Sequence, residues 1–191
     1  MENSPPRHII FATDFSARCD RAQDRAIQLA LQWQARLTAV HVIEDEDGFL
    51  EQPETKSVPR AVARNAMLLR EELTGIDGLT SAVVVRRGRP LVEIKEIALW
   101  DKTDLIVTGI PRNETDGRSL LGSTTTSLLR ESGLPVLVVK KKSVDTGDRI
   151  VVATDVSPAA SSVLETTLRF FRPETLILFH AFDPPFKCVF H

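Results

Sequence analysis

The chain has 191 residues, of which 42% are hydrophobic and 26% are charged, and its formal net charge is −2 at pH 7. This composition is typical of a soluble globular protein with one or two domains, and the lack of a basic surplus argues against nucleic acid or an anionic membrane as a partner. No apolar run reaches the roughly 20 residues that span a bilayer, and the polar N-terminus is unlike a signal peptide. We expect a cytoplasmic protein whose two cysteines, Cys19 and Cys188, are reduced thiols.

Strand and helix patterns alternate along the first three quarters of the chain. Short apolar runs predict strands covered on both faces, at residues 9–13, 37–43, 82–86, 105–108 and 135–140. Apolar stripes at helical spacing predict helices, at residues 16–34 with Ser16 as the N-cap, at 59–73, from 90 onward, and at 123–131. Polar stretches at 44–58, 110–121 and 141–148 are predicted as connections. This alternation indicates an α/β fold with a doubly wound, five-stranded parallel sheet.

The opening of the chain recurs near its end. Residues 8–16, HIIFATDFS, are matched by residues 149–157, RIVVATDVS, and LTAVHV at 37–42 is matched by LILFHA at 176–181. We predict a complete domain at residues 1–141, a linker at 142–148, and a partial second repeat of strand, helix and strand at 149–191. Two strands and one helix cannot bury their faces alone, so this segment is expected to pack on the first unit, to pair with another chain, or to be truncated.

Polar and glycine residues follow three of the predicted strands, where ligands bind in folds of this class. They are Ala12-Thr13-Asp14 after the first strand, His41-Val42 at the end of the second, and Thr108-Gly109 at the end of the fourth. Gly109 lets the backbone approach a ligand closely. Gly122, Ser123, Thr124 and Thr125 open a helix, whose free N–H groups and dipole attract anions. This arrangement predicts a site for a phosphate chain.

Together and in order, these motifs resemble the universal stress protein family, in its tandem form with an incomplete second repeat. The resemblance rests on the strand ending ATDFS, on His41-Val42, on Gly88-x-Pro90, on DLIVTG at 104–109, and on LGS at 121–123 followed by LPVLVV at 134–139. It covers about residues 7–141 and, in part, 149–183. It implies an adenine nucleotide alpha hydrolase-like fold, a role in the stress response, a homodimer, and an unidentified protein partner. It also implies binding of ATP or another adenine nucleotide, with which Mg²⁺ is compatible.

The resemblance also implies which residues bind. Asp14 and the backbone at Val42 would hold the adenosine, and Gly109 and the helix start would hold the phosphates. The complete expected set is Ala12, Thr13, Asp14, Val42, Thr108, Gly109, Arg112, Gly122, Ser123, Thr124 and Thr125. The family's ATP-binding members have a glycine at the position of Arg112, which therefore either blocks the phosphates or supplies a charge-assisted contact to them. The second copy keeps Asp155 and His180 but lacks the phosphate half, so any complete site is expected in the first copy.

Each candidate residue also has a purely structural interpretation. Asp14 or Gly122-Ser123 could simply begin a helix, and His41 is more easily understood as a packed, hydrogen-bonded histidine than as a base. The acidic stretch at 44–54 is interpreted as a solvated loop rather than a metal site, and Trp33 and Trp100 as partly buried packing residues.

The sequence shows no catalytic or metal-binding constellation. It has no Walker-type Gly-Lys-Ser/Thr motif, no Gly-x-Ser-x-Gly elbow and no His pair at zinc spacing. We therefore do not predict an enzyme, and a slow ATPase would lack a group that activates water.

Two hypotheses remain open. The first is a nucleotide-binding stress-response module that acts through conformation or dimerisation. The alternative is a module that binds no nucleotide because Arg112 closes the phosphate site, and that dimerises through the edge strand at 135–140.

Overall fold

The computed structural model describes residues 4–17, 19–44, 59–110, 121–141 and 149–181. The chain divides into two compact units, residues 6–142 and residues 143–191 with the first five residues. Arg112, the predicted linker and all but Glu44 of the acidic stretch at 44–54 lie outside the described residues. In the described part of the chain, no helix is long and apolar enough to cross a membrane.

The first unit contains a five-stranded parallel sheet. Its strands are β1 (His8–Ala12), β2 (Arg36–Ile43), β3 (Ser81–Arg87), β4 (Leu105–Gly109) and β5 (Val136–Val139). The spatial order is β3-β2-β1-β4-β5, and every neighbouring pair is parallel. The chain therefore winds outward from β1 to β3, returns to the other side of β1, and reverses strand order between β1 and β4. This topology confirms the predicted doubly wound sheet.

Four helices flank the sheet, and alternating side chains of the strands meet them. They are α1 (Asp20–Trp33), α2 (Arg60–Thr74), α3 (Pro90–Trp100) and α4 (Ser123–Glu131). The apolar stripe of α1 is buried, namely Ala22, Ala26, Leu29 and Ala30. Successive residues of a strand point to opposite faces. Ile10 and Ile106 accordingly belong to a cluster with Ile94 of α3 and Leu128 of α4.

Two expectations from the sequence are wrong. The first helix begins at Asp20 instead of residue 16, and Ser16 is not its N-cap, because Ser16 lies in a preceding turn in which its carbonyl accepts a hydrogen bond from the N–H of Cys19 at 2.8 Å. The chain thus completes an additional turn before the helix starts. Trp100 is 82% exposed rather than partly buried, because it ends α3 beyond the buried residues of that helix. Trp33, by contrast, is half-buried as expected.

The first strand is held at its N-terminal end by residues that precede β4. The carboxylate of Asp104 accepts hydrogen bonds from the N–H groups of Arg7 and His8, at 2.8 and 3.1 Å. The imidazole of His8 is buried. Its Nδ1 donates to the carbonyl of Asp101 at 3.0 Å, and its Nε2 lies 2.8 Å from Oγ1 of Thr38. These contacts lie at the opposite end of the sheet from the predicted site.

The second unit, in its described part, has two strands and one helix. β6 (Arg149–Ala153) and β7 (Thr175–Phe179) pair in parallel, and α5 (Pro158–Phe171) connects them. Ser157 caps α5, because its hydroxyl accepts a hydrogen bond from the N–H of Ala160 at 3.2 Å. Several large apolar side chains of the two strands are exposed, namely Val151, Ile177, Leu178 and Phe179. The duplication and the domain limits remain predictions from the sequence.

Candidate functional site

A cleft of about 280 Å³ lies at the carboxyl end of the sheet of the first unit. The ends of β1, β2 and β4 form its floor, and the starts of α3 and α4 form part of its wall. Every predicted site residue that the structure describes lines this cleft, namely Ala12, Thr13, Asp14, Val42, Thr108, Gly109, Gly122, Ser123, Thr124 and Thr125. Four separate stretches of sequence thus meet around one space. Arg112 belongs to residues 111–120, which lie outside the described part of the chain.

The end of β1 is a tight turn built from its own side chains. Oγ1 of Thr13 accepts the N–H of Phe15 at 3.0 Å, and Oδ1 of Asp14 accepts the N–H of Ser16 at 2.8 Å. Such bonds from short polar side chains are typical of tight turns. Phe15 has φ +58°, a left-handed conformation that is uncommon for residues other than glycine. Asp14 therefore forms the turn before α1 and does not cap that helix.

The carboxylate of Asp14 is stabilised in its charged form. Burial by itself would raise the pKa of this group, but hydrogen bonds from Ser16 and Cys19 to the carboxylate lower the pKa below its usual value. At neutral pH the cleft therefore has a fixed, ionised acceptor next to the end of β1. Such a group suits hydroxyl donors, of which a sugar has several.

His41 supports the turn from the neighbouring strand. Its Nδ1 donates to the carbonyl of Thr13 at 2.9 Å, and its ring contacts that of Phe15, with centroids 4.4 Å apart and the ring planes tilted by 32°. This geometry agrees with the interpretation of His41 as a packed, hydrogen-bonded histidine. A bond of the same kind occurs in the second unit, where Nδ1 of His180 lies 2.7 Å from the carbonyl of Thr154.

The opposite side of the cleft is the start of α4. Gly122 precedes the helix with φ +69°, a conformation that favours glycine. The N–H of Thr126 is the first to bond within the helix, to the carbonyl of Gly122 at 3.0 Å. The preceding N–H groups, of Ser123, Thr124 and Thr125, have no partner within the helix at this end. Together with the helix dipole, they make the wall of the cleft suitable for an anion.

The sequence did not predict several residues that line the cleft. They are Cys19, Val40, Glu44, Pro90, Ile94 and Ile110. Pro90 was predicted only to begin a helix, and no pattern indicated that this helix reaches the cleft. Cys19 was assigned to the first helix, so its place beside Asp14 was missed. Among the described residues, no group of three or more His, Cys, Asp or Glu residues could hold a metal ion.

Comparison with known proteins identifies the family. A model of the universal stress protein family matches residues 6–140. The chain is similar to a universal stress protein of Thermus aquaticus, with 30% identity over 133 residues that cover 69% of this chain and 97% of that protein. Among solved structures, it resembles the universal stress protein UspA from Lactobacillus plantarum, with a TM-score of 0.55, 24% identity, and coverage of 71% of this chain and 99% of that one.

A second solved structure is a universal stress protein in complex with cAMP. Its TM-score is 0.54 and its identity 24%, and the match covers 73% of this chain and 100% of that chain. At such identity, the two solved structures show the shared fold. The family model that matches most of the chain and the relative with 30% identity show the family itself: this chain belongs to the universal stress protein family.

Proposed function

We propose that the first unit binds an adenine nucleotide, ATP or a relative of it, and acts as a stress-response module through a change in conformation or in dimerisation. The observation that carries this proposal is the convergence of residues 12–14, 42, 108–109 and 122–125 on one cleft. A nucleotide needs an acceptor for its sugar and a cradle for its phosphates. Asp14 offers the first, and the start of α4 offers the second.

The size of the cleft is compatible with this ligand class. Its volume of about 280 Å³ is near the lower end of the roughly 300–1,000 Å³ common for small-molecule sites. The fold itself accommodates such ligands, since a structural relative was solved in complex with cAMP. We propose binding without catalysis, in the cytoplasm, with Mg²⁺ accompanying the nucleotide when phosphates are present.

Isothermal titration calorimetry of the whole chain with ATP, with and without Mg²⁺, tests the proposal. We expect binding that is weakened about tenfold by Asp14→Asn, because a charge-assisted hydrogen bond is lost. Asp155→Asn is the matched control, since Asp155 forms the same kind of turn with the N–H of Ser157 in the second unit. No heat of binding at millimolar ATP, with folded protein, contradicts the proposal.

The role of Arg112 separates the two hypotheses drawn from the sequence. If its side chain blocks the phosphates, Arg112→Gly raises the affinity for ATP. If its guanidinium contacts them, the same substitution lowers that affinity. Titration of this variant beside the unaltered protein, with ATP and with adenosine as ligands, distinguishes an effect on the phosphates from an effect on the whole site.

The alternative function, dimerisation without a nucleotide, is supported by the position of β5. This strand is one edge of the sheet and consists of the apolar residues Val136–Val139. An apolar edge strand offers unpaired backbone groups to a second chain. Light scattering over a range of concentrations tests this function, and a strict monomer counts against it.

A further inference from the structure

Cys19 stands inside the cleft and contacts a residue of the proposed binding site. Its Sγ lies 3.1 Å from Oδ1 of Asp14, which is the oxygen that also accepts the N–H of Ser16. The side chain of Cys19 is partly exposed and lines the cleft. Although Cys19 occupies the N-cap position of α1, its side chain makes no capping bond there. Its polar contact is therefore directed to the site and not to the helix.

The thiol is in the form that can donate. Burial raises the pKa of Cys19 above its usual value, and the neighbouring carboxylate of Asp14 also disfavours the thiolate. At neutral pH the group is therefore S–H, a donor, and Asp14 is the acceptor. A carboxylate has about four acceptor positions, so the bonds from Ser16 and Cys19 to one oxygen leave positions for the hydroxyl groups of a ligand.

The second unit shows that the turn itself does not need this thiol. There, Oδ1 of Asp155 accepts the N–H of Ser157 at 2.9 Å, and Oγ1 of Thr154 accepts the N–H of Val156 at 3.0 Å. The residue five positions after Asp155 is Ala160, which has no side-chain donor. The turn therefore forms without a donor at this position. The contact made by Cys19 is therefore not required for the shape of the backbone.

We propose that Cys19 is a positioning residue of the cleft, whose thiol holds the carboxylate of Asp14 in the orientation that receives the nucleoside part of the ligand. This inference rests on the proposed function and adds to it a residue that neither the motif nor its spacing indicated. The thiol acts through Asp14, and it acts as a hydrogen-bond donor rather than as a filler of space. A serine can replace it in that role, whereas an alanine cannot.

Two variants of the whole chain test the inference, Cys19→Ala and Cys19→Ser. The first readout is the pKa of Asp14, followed by NMR of its side-chain carboxyl carbon without nucleotide, with Asp155 as the internal reference. We expect the pKa of Asp14 to rise in Cys19→Ala and to stay low in Cys19→Ser, while the pKa of Asp155 does not change. The second readout is the affinity for ATP, which we expect to fall about threefold to tenfold in Cys19→Ala and to change little in Cys19→Ser.

The outcomes are distinct. An unchanged pKa of Asp14 in Cys19→Ala overturns the inference, whether or not the protein binds a nucleotide. Equal losses of affinity in the alanine and serine variants also overturn it, because they show that the volume of sulfur matters rather than its proton. If the pKa of Asp14 responds as expected but the unaltered protein binds no adenine nucleotide, the proposed function fails, and the control of Asp14 by Cys19 is upheld.

Discussion

His8 shows how a single buried side chain can make the stability of this fold depend on pH. Burial lowers the pKa of His8 from 6.5, and it outweighs the carbonyl and the carboxylate of Asp101, which both favour the charged form. The neutral ring fits its surroundings, because Nδ1 donates to a carbonyl and Nε2 can accept from the hydroxyl of Thr38. Protonation of His8 is therefore less favourable in the native state than in the unfolded chain.

We predict that stability falls as the pH is lowered from about 6.5. Above that pH His8 is neutral in both states, whereas below it the unfolded state binds a proton more readily and is favoured. Urea unfolding at pH 7.5 and pH 5.5 measures the change, and His8→Asn, which cannot titrate, is the control. A loss of stability in the unaltered protein no larger than that in the variant contradicts the prediction.

The residues of the cleft divide into those that a sequence can reveal and those that it cannot. Thr13, Asp14 and Gly122 were predicted because each comes directly after an apolar run or before a helical stripe, and parallel strands end at a common edge. Cys19 was not predicted. Its contact with Asp14 depends on a left-handed Phe15 and on an additional turn before α1, and no pattern of residue types indicates a positive φ at a phenylalanine.

At the scale of elements, α4 has two functions that depend on different residues. Its first turn lines the cleft, while Leu128, one turn later, is fully buried in the cluster that contains Ile94 and Ile106. The packing of Leu128 thus fixes where the N–H groups of the first turn lie. A helix of nine residues has little stability of its own, so tertiary packing must hold it in place.

We predict that Leu128→Ala lowers the free energy of unfolding by about 2–5 kcal/mol, because it removes buried methyl groups and leaves a cavity. Leu129→Ala is the matched control, since Leu129 is adjacent but 46% exposed, and we expect it to change stability by less than about 0.5 kcal/mol. Urea unfolding followed by circular dichroism measures both. Equal losses in the two variants would show that the cluster does not hold α4.

The limits of the strands illustrate what side-chain patterns cannot predict. β3 extends to Arg87, because Arg86 and Arg87 pair through their backbones with Val42 and Ile43 of β2. The strand predicted from the sequence ended at residue 86. β5 is shorter than the strand predicted at residues 135–140, since its pairing with β4 runs only from Val136 to Val139. Existence and order of the elements follow from hydrophobic patterns, but their ends follow from backbone pairing with a neighbour, which the sequence does not display.

At the scale of the whole molecule, the two units differ in how well they bury their own apolar residues. The first has helices on its five-stranded sheet and a continuous core. In the second, the strands β6 and β7 leave Val151, Ile177 and Phe179 exposed. Two strands and one helix rarely form a stable fold by themselves.

We therefore predict that a fragment of residues 6–142 folds alone and unfolds in one cooperative transition, whereas a fragment of residues 149–191 does not fold. Circular dichroism and urea titration of each fragment provide the measurement, with the whole chain as reference. A cooperative transition in the shorter fragment, or none in the longer one, would contradict this division of stability. The result would also test the domain limits, which were predicted from the repeat.

The central position of β1 in the sheet has a consequence for folding during synthesis. β1 is synthesised before β2, β3 and β4 but lies between β2 and β4 in the sheet, and the N–H groups at its N-terminal end bond to Asp104, almost a hundred residues later. Only a pair or a trio of strands can assemble before β4 has been synthesised. Synthesis proceeds at about 5–20 residues per second. The apolar strand β1 therefore has one unpaired edge for several seconds, until β4 has been synthesised, and during that time this edge can pair with other strands or chains.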